Sequence, residues 1–523
     1  MIGWCRTMDK VGDVERARVF LAAPRDAVEA AKILAECSRL RNNSRRLNTA
    51  VCESPWSLVT VCDRLGASAL LRGRGVEKET GPSWSMYGCD VKPESVEVDG
   101  FAGAADSVSG GCDILVLITL ERMCGVIEVS RGDLLAVVGG GAVFSGFEER
   151  LVEEGLYFPY RPEFYSARMC AAGIMMGGEA ACTEGRYGGL REHVLSAELA
   201  LPNGDIVRAG SRSIKDVAGY EILGLLKGAG GRCGVISQMA LRLLPLPGSR
   251  VTFELAGGDE AVRSASSSIY RSMRPVFLKL FEGSSAAALG ERLGVRVQDQ
   301  PGRASGVNEP RALLVGELNA PGAGSESTLI SEVGALCSGI GPVTELKYDE
   351  AEMIGRLHDI VFESREGAEC IVHVSFDAPM IAGTEAGRRV GIVSEDHSDL
   401  VTVLKRMENE GAFVYRSLYP ERVHLLVPHG KTGETAPPGC GHLQGLLGGD
   451  GELGNLLRRI AGRGLGEGVE LIGRSVDGDI ARNFVDPDLW KRLLNIDGGA
   501  GEAYSELEAA VYGAFDPYGI MVR

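Results

Sequence analysis

The sequence predicts an α+β protein, and three observations carry that expectation. Short β-branched runs alternate with amphipathic helical stretches along most of the 523 residues. The Asn203-Gly204 pair joins two strand-like runs, VLSAELALP and DIVRAG, and is the strongest short hairpin signal in the chain. The composition, 45% hydrophobic and 24% charged, suits ordinary globular cores rather than disorder. At roughly 100–200 residues per domain the length suits two to four domains.

Charge and cysteine usage narrow the class further. A formal net charge of -16 and a pI near 5.1 argue against nucleic acid as a partner, because phosphate binding needs a basic face. The opening MIGWCRTMDKVGDVERARVFLAA has no basic segment leading into an apolar h-region, so no secretory signal is expected. There is no run of about 18 apolar residues, so no spanning helix is expected. Thirteen cysteines without such a signal fit reduced thiols in a cytoplasm. None forms C-x-x-C, which argues against an iron–sulfur cluster within the chain.

Taken in order, residues 15–36 read as a strand, a Pro-containing turn and a helix. Residues 40–95 mix Arg/Asn-rich, Trp-containing and Gly/Ser/Pro pieces and read as an irregular insertion. Within them, LLRGRG at 70–75 reads as a surface turn. A strand at 95–98, a small-residue loop at 103–111 and a strand at 114–119 follow. Such a loop is either a glycine-rich hairpin or a place where backbone amides approach an anionic ligand closely. LLAVVGGGAVFSGFEERLVEEGL, residues 134–156, is not a dinucleotide fingerprint. Phe144 stands where the third glycine belongs, so a strand, a turn and an amphipathic helix with Phe147, Leu151 and Leu156 inward are expected.

The stretch from Gly155 to Pro247 is the most informative. Residues 169–180 are almost all Ala, Gly and Met, too glycine-rich to predict a helix and suited to close approach to a flat apolar partner. A helix is expected from about Gly219 to Leu226, with Tyr220 in the core and Lys215 in a structural role. In order, GLYFPYRP, the Ala/Gly run, GRYGG, NGDIVRAG, KDVAGYEILGLL, GAGGRCGVIS and LRLLPLP resemble the FAD-binding domain of the glycolate oxidase/D-lactate dehydrogenase flavoproteins. These have the vanillyl-alcohol-oxidase-type, or PCMH-type, fold.

That resemblance implies a two-subdomain PCMH-type FAD-binding domain over 1–248 and an α+β C-terminal cap over 249–523, with FAD as cofactor. It implies a pyrophosphate loop at Gly103, Ser109, Gly110 and Gly111. Pro162, Ala172, Gly173 and Gly177 would line the flavin and ribityl chain, and Tyr187, Gly188, Val235 and Ile236 would complete the site. The first loop departs from the family pattern by reading AGAADSVSGG, and Ala171-Ala172 stand in place of a Gly-Gly pair.

In the second half, strands and amphipathic helices alternate, and AAVYGAFDPYGIMVR resembles the close of the same family's cap. The family's H-x-G-D-x-N-x-H segment falls at SLYPERVH, residues 417–424, where only His424 remains. Its E-H-G-x-G falls at GRSVDG, where Arg474 and Ser475 replace the acid and the histidine. No metal is therefore expected. His424 is the candidate base, and Arg474 is a candidate partner for a substrate carboxylate. A lone histidine such as His373 in IVHVSF reads as a satisfied strand residue.

Two functions stay open. One is oxidation of a small 2-hydroxy acid by hydride transfer to FAD, with electrons passing to a separate iron–sulfur or electron-transfer flavoprotein subunit. The other is a flavin-domain subunit whose cap has lost its catalytic set.

Overall fold

The computed structural model describes residues 2–8, 17–42, 47–52, 113–163, 170–177, 181–213, 220–229, 231–293, 311–320, 322, 324–347, 370–377, 404–405, 408, 412–419, 422–429, 470–475, 480–482 and 500–521. The first region begins with β1 (Ile2–Met8), β2 (Ala17–Ala22), α1 (Ala27–Asn42), β3 (Leu47–Cys52) and β4 (Asp113–Thr119). The strands form a four-stranded sheet of order β1-β2-β4-β3, with β2 and β3 both parallel to β4. Helix α1 starts where the sequence signals it. Asp26 Oδ1 accepts the Glu29 amide of the first turn, and the Glu29 carboxylate accepts the amide of Arg25 just before the helix. Ile33, Leu34, Cys37 and Leu40 recur at helical spacing and are fully buried. The insertion expected from residue 40 is thus corrected at its start: residues 40–42 close α1, and β3 pairs along β4 because LNTAVC has strand propensity and an apolar face. The remainder, 53–95, lies outside the described residues.

A second sheet follows: β5 (Val126–Ser130), β6 (Leu135–Gly139), α2 (Phe144–Glu153), β7 (Leu156–Tyr157), α3 (Ala171–Gly177), α4 (Glu184–Tyr187), β8 (Val194–Ala200), β9 (Ile206–Gly210), α5 (Leu223–Leu226), β10 (Val235–Arg242) and β11 (Leu244–Pro245). Its five strands run antiparallel in the order β5-β6-β10-β8-β9. The expected hairpin is present: Gly204 takes a φ of +88°, and Asn203 Oδ1 accepts the Asp205 amide at 3.0 Å. The turn rests on α1, where Ser38 Oγ donates to the Pro202 carbonyl at 2.6 Å. Gly139 and Gly141 allow backbone to pass backbone, since a Cβ on either would collide with the carbonyl of Met123 or Leu120. Phe147, Leu151 and Leu156 all point inward, as the pattern predicts.

Two expectations fail here for tertiary reasons. The Ala/Gly/Met run is helical at Ala171–Gly177, because burial of Ile174, Met175 and Met176 outweighs the low helix propensity of glycine. Tyr220 is not in the core but 97% exposed. Helix α5 begins only at Leu223, so Leu223 and Leu226 take the buried positions instead.

The second region is built on β12 (Ser249–Gly258), α6 (Asp259–Met273), β13 (Phe277–Phe281), α7 (Gly283–Leu293), β14 (Arg311–Ala320), α8 (Glu326–Leu336), β15 (Val343–Leu346), β16 (Cys370–Asp377), β17 (Phe413–Leu418), β18 (Arg422–His429), β19 (Glu470–Ser475) and β20 (Ile480–Arg482). These strands make a nine-stranded antiparallel sheet of order β15-β12-β14-β13-β17-β18-β16-β19-β20. The alternation of FLKLF assigns its two faces. Leu278 and Leu280 join Phe253, Leu314 and helices α6 and α8 on one side. Phe277 and Phe281 join Leu313, Val315, Phe413, Tyr415, Leu426 and helix α7 on the other.

Helix α9 (Ala500–Phe515) closes the described chain. The segment after it, which the sequence places in the cap, returns to the first region. Ile520 is fully buried in the first region's core, and its carbonyl accepts the Thr49 amide of β3 at 2.5 Å. Tyr512, Phe515 and Met521 pack on that same core.

Candidate active site at the seam between the two regions

The segment Tyr157–Glu163 leaves the first region and lies against the cap sheet's second face. Its Arg161 and Glu163 flank the buried Pro162, which bridges to Ala181. Glu163 Oε1 lies 2.8 Å from Lys279 Nζ on β13 and accepts the Tyr415 hydroxyl of β17 at 3.0 Å. Arg161 reaches β14, with Nη1 3.0 Å from Glu317 Oε2. Tyr415 stacks on His424 of β18, its pairing partner, at 4.5 Å between ring centroids and 14° between planes. Lys279, Glu317, Tyr415 and His424 are all polar groups on strand positions that an apolar pattern would fill, and all are buried.

Burial governs the protonation states. It would lift the Glu163 carboxyl, but the Lys279 ammonium overrides it and holds the group down at about 2. Burial pushes His424 down to about 3 against the pull of the Glu163 carboxylate, so the ring is neutral. Burial, and then the Glu163 carboxylate, push the Tyr415 phenol well above its ordinary range. Burial works against the Arg161 cation, yet the Glu317 carboxylate more than restores it, and its pKa is raised. The outcome is two ion pairs, a neutral imidazole and a neutral phenol enclosed between the two regions.

Beside this cluster a small cleft opens, lined by Tyr157, Arg161, Tyr187, Arg250, Glu317 and Asn319 among others. Asn319 Nδ2 donates to the Tyr187 hydroxyl oxygen at 2.6 Å, and the Arg250 guanidinium lies 5.2 Å from the Tyr157 ring centroid. The seam is also held at α4. Tyr270 stacks on Tyr419 at 3.8 Å, Tyr270 donates to the Gly185 carbonyl, and a Cβ at Gly185 would collide with the Tyr419 carbonyl.

The expected site residues separate into groups. Ala172 and Ile236 converge on Gly140, where an added Cβ would strike the Ile236 carbonyl and come within 3.4 Å of Ala172 Cβ. Ala172, Val235 and Ile236 are 0, 0 and 1% exposed. They are enclosed by protein and do not face open space. Gly173 is buried beside them, and Gly177 ends α3. Tyr187 and the left-handed Gly188 (φ +87°) are half-buried at the seam. Gly103, Ser109, Gly110 and Gly111 lie outside the described residues, as does Lys215.

The two cap residues are not brought together. His424 pairs with Ser375 and Arg474 with Ile371, four residues apart on β16, with β16 between their strands. That offset is about 13 Å along the sheet and about 10 Å across it. His424 is 1% exposed, so in this arrangement it does not face open space, and a group with its lowered pKa is a weak base at neutral pH. His373 lies on β16 as a strand residue. Sequence reasoning missed Glu163, Lys279, Tyr415, Arg161 and Glu317. A charge of each sign around Pro162 in an aromatic run, and a lysine inside FLKLF, were the available signals.

An extended flavin needs both a close-packed wall and anion-binding amides. Small residues at 140, 172 and 173 supply the wall. The first-turn amides of α3 do not supply the anion site: Ala171 and Ala172 donate to the carbonyls of Ala142 and Gly140, and Gly173 to Cys170 Sγ. The described residues therefore fit the flavin end of FAD and leave the pyrophosphate to other parts of the chain. The sequence profile of the family described as "FAD binding domain" matches residues 101–210, which cover α2, α3, β8, β9 and the 103–111 loop. This is a flavoprotein domain of PCMH type.

Relatives agree. An uncharacterized FAD-linked oxidoreductase of Mycobacterium tuberculosis is 29% identical over 206 residues, 38% of this chain and 43% of that protein. Glycolate oxidase subunit GlcD of Bacillus subtilis is 28% identical over 26% of this chain and 29% of its own. The mitochondrial D-lactate dehydrogenase [cytochrome] of Arabidopsis thaliana is 35% identical over 25% of this chain and 23% of its own. The aligned part thus spans less than half of each relative. A solved structure of alkyldihydroxyacetonephosphate synthase shares the fold, with a TM-score of 0.53 at 11% identity over 96% of this chain and 75% of that one. Residues 101–210 thus form an FAD-binding domain similar to that of glycolate oxidase and D-lactate dehydrogenase flavoproteins.

Proposed function

We propose that the chain is an FAD-dependent oxidoreductase that oxidises a small 2-hydroxy acid of the glycolate or D-lactate kind. Residues 1–248 would form the flavin domain and 249–523 the cap, apart from the returning C-terminal segment. Electrons would leave to a separate iron–sulfur or electron-transfer flavoprotein subunit. The observation that carries this reading is the FAD-binding family match over 101–210. Bound FAD supplies a two-electron acceptor for the hydride of the substrate carbon. Tyr187 and Gly188 would hold the flavin, with Ala172, Gly173, Val235 and Ile236 behind it.

The chain's own residues at the seam suit an acid. Arg250 ion-pairs with no described residue, and the hydroxyls of Tyr157 and Tyr187 and the Asn319 amide stand near it. Such a set orients a carboxylate by charge and hydrogen bonds. The Glu163–Lys279 pair and the neutral His424 exclude water behind the cleft. A cytoplasmic placement is part of the proposal. It is supported by free thiols at Cys37, Cys124, Cys170, Cys182, Cys233 and Cys337.

The enclosure of His424 and the pairing of every acid in the cluster favour a second reading. In it the chain is the flavin-carrying subunit of a hydroxy-acid dehydrogenase complex, and its cap performs no chemistry. Anaerobic spectra of the purified protein with D-lactate, glycolate and D-2-hydroxyglutarate decide between them. Flavin bands that bleach with one acid support the enzyme. Bands that persist with all three favour the subunit, and a colourless protein would overturn both.

A further inference from the structure

The two ion pairs at the seam have an order that burial alone does not require. On the first-region side the charges run positive at Arg161 and negative at Glu163, with Pro162 between them. On the cap side the partners are negative at Glu317 and positive at Lys279, on the adjacent strands β14 and β13. Phe277 pairs with Glu317 and Lys279 with Val315, so the two cap charges sit one strand and two residues apart. A shift of the segment by two residues along the sheet would oppose like charges at one pin, or leave the fully enclosed Glu163–Lys279 pin without partners. Either state is costly, because a buried charge that loses its partner keeps its full desolvation penalty.

We propose that Arg161 and Glu163 are positioning residues whose crossed pairing with Glu317 and Lys279 sets the register in which the cap covers the flavin domain. The same register places Tyr157, Tyr187 and Asn319 at one cleft. Tyr157 lies four residues before Arg161 on the pinned segment, and Asn319 two residues after Glu317 on the pinned strand. Proline at 162 stiffens the link between the pins, since its ring fixes φ. Hydrophobic contact at this face comes from Phe277, Phe281 and Tyr415, which tolerate sliding. The charges do not.

The test uses the full-length, flavin-loaded protein in a double-mutant cycle of Glu163→Gln, Lys279→Met and the pair together. Expected is strong coupling in the unfolding equilibrium, about tenfold or more, with the double variant no less stable than the worse single. The visible bands of the bound flavin should shift in each single variant, and KM for the acid should rise while kcat holds. Additive losses with an unchanged flavin spectrum would overturn the proposal. Should Lys279→Met fail to fold, Lys279→Arg with Glu163→Asp keeps both charges. Retention of the wild-type spectrum in that pair, but not in Glu163→Gln, supports it, and equal spectra in both overturn it. The reaction readout rests on the hydroxy-acid reading, whereas the coupling and the spectrum do not. Failure of every acid to react with normal coupling therefore counts against that reading alone.

Discussion

The five-stranded sheet of the first region and the nine-stranded sheet of the cap bury their inner faces by opposite means. Against the first, α1 and α3 pack apolar side chains, and at Gly140 the Ala172 methyl of α3 meets backbone. Against the second, the segment 157–163 packs with two ion pairs, a phenol and an imidazole. The apolar contact is close because nothing large intervenes, and its specificity comes from volume. The polar contact is specific because each charge demands one partner. The difference teaches where this fold tolerates change: volume rules the first face and charge rules the second.

Lys279→Met should break the polar face most severely. It leaves the Glu163 carboxylate buried without its cation, and a loss of about 3–5 kcal/mol in denaturant unfolding is expected. Tyr415→Phe removes one hydrogen bond to the same carboxylate and should cost about 1.5–3 kcal/mol by the same measurement. On the apolar face Ala172→Leu adds volume where Gly140 and Ile236 leave none, for a loss of about 1–3 kcal/mol. A change as small as that of a surface substitution would show that the α3 contact has room for a larger side chain.

Acidity should separate the two faces as well. Glu163 and His424 have folded-state values of about 2 and about 3, below the ordinary 4.5 and 6.5. The unfolded chain therefore binds protons first as pH falls. Stability should decline from pH 6.5 toward 3 through His424, and from 4.5 toward 2 through Glu163. Unfolding curves of His424→Phe should lose the upper part of that slope, and an unaltered slope would refute the assignment. The smallest effect belongs to the exposed Arg212–Glu128 pair. Arg212→Ala should change stability by no more than about 0.5 kcal/mol.

Much of the first region was legible because its signals are local. The Asn203-Gly204 turn, the strand, turn and helix of residues 15–36 and the inward Phe147, Leu151 and Leu156 follow from neighbouring residues and their periodicity. The run at 171–177 was not legible, since its helix forms only when Gly140 and β10 close over it. Tyr220 was misplaced because the start of α5, three residues on, decides which side chains turn inward. The return of Ile520 to the first core has no local signature at all, as its partner Thr49 lies over 400 residues away in sequence.

The candidate site divides in the same way. Residue order alone was enough for the FAD-binding domain, because short motifs carry backbone requirements that few other sequences meet. The meeting of Glu163 with Lys279, of Arg161 with Glu317, and the separation of His424 from Arg474 were decided by tertiary structure. Strand order and register determine which charges share a dielectric, and neither can be counted along a chain. Local chemistry specified what this protein can hold, and long-range pairing specified which of its groups stand together around it.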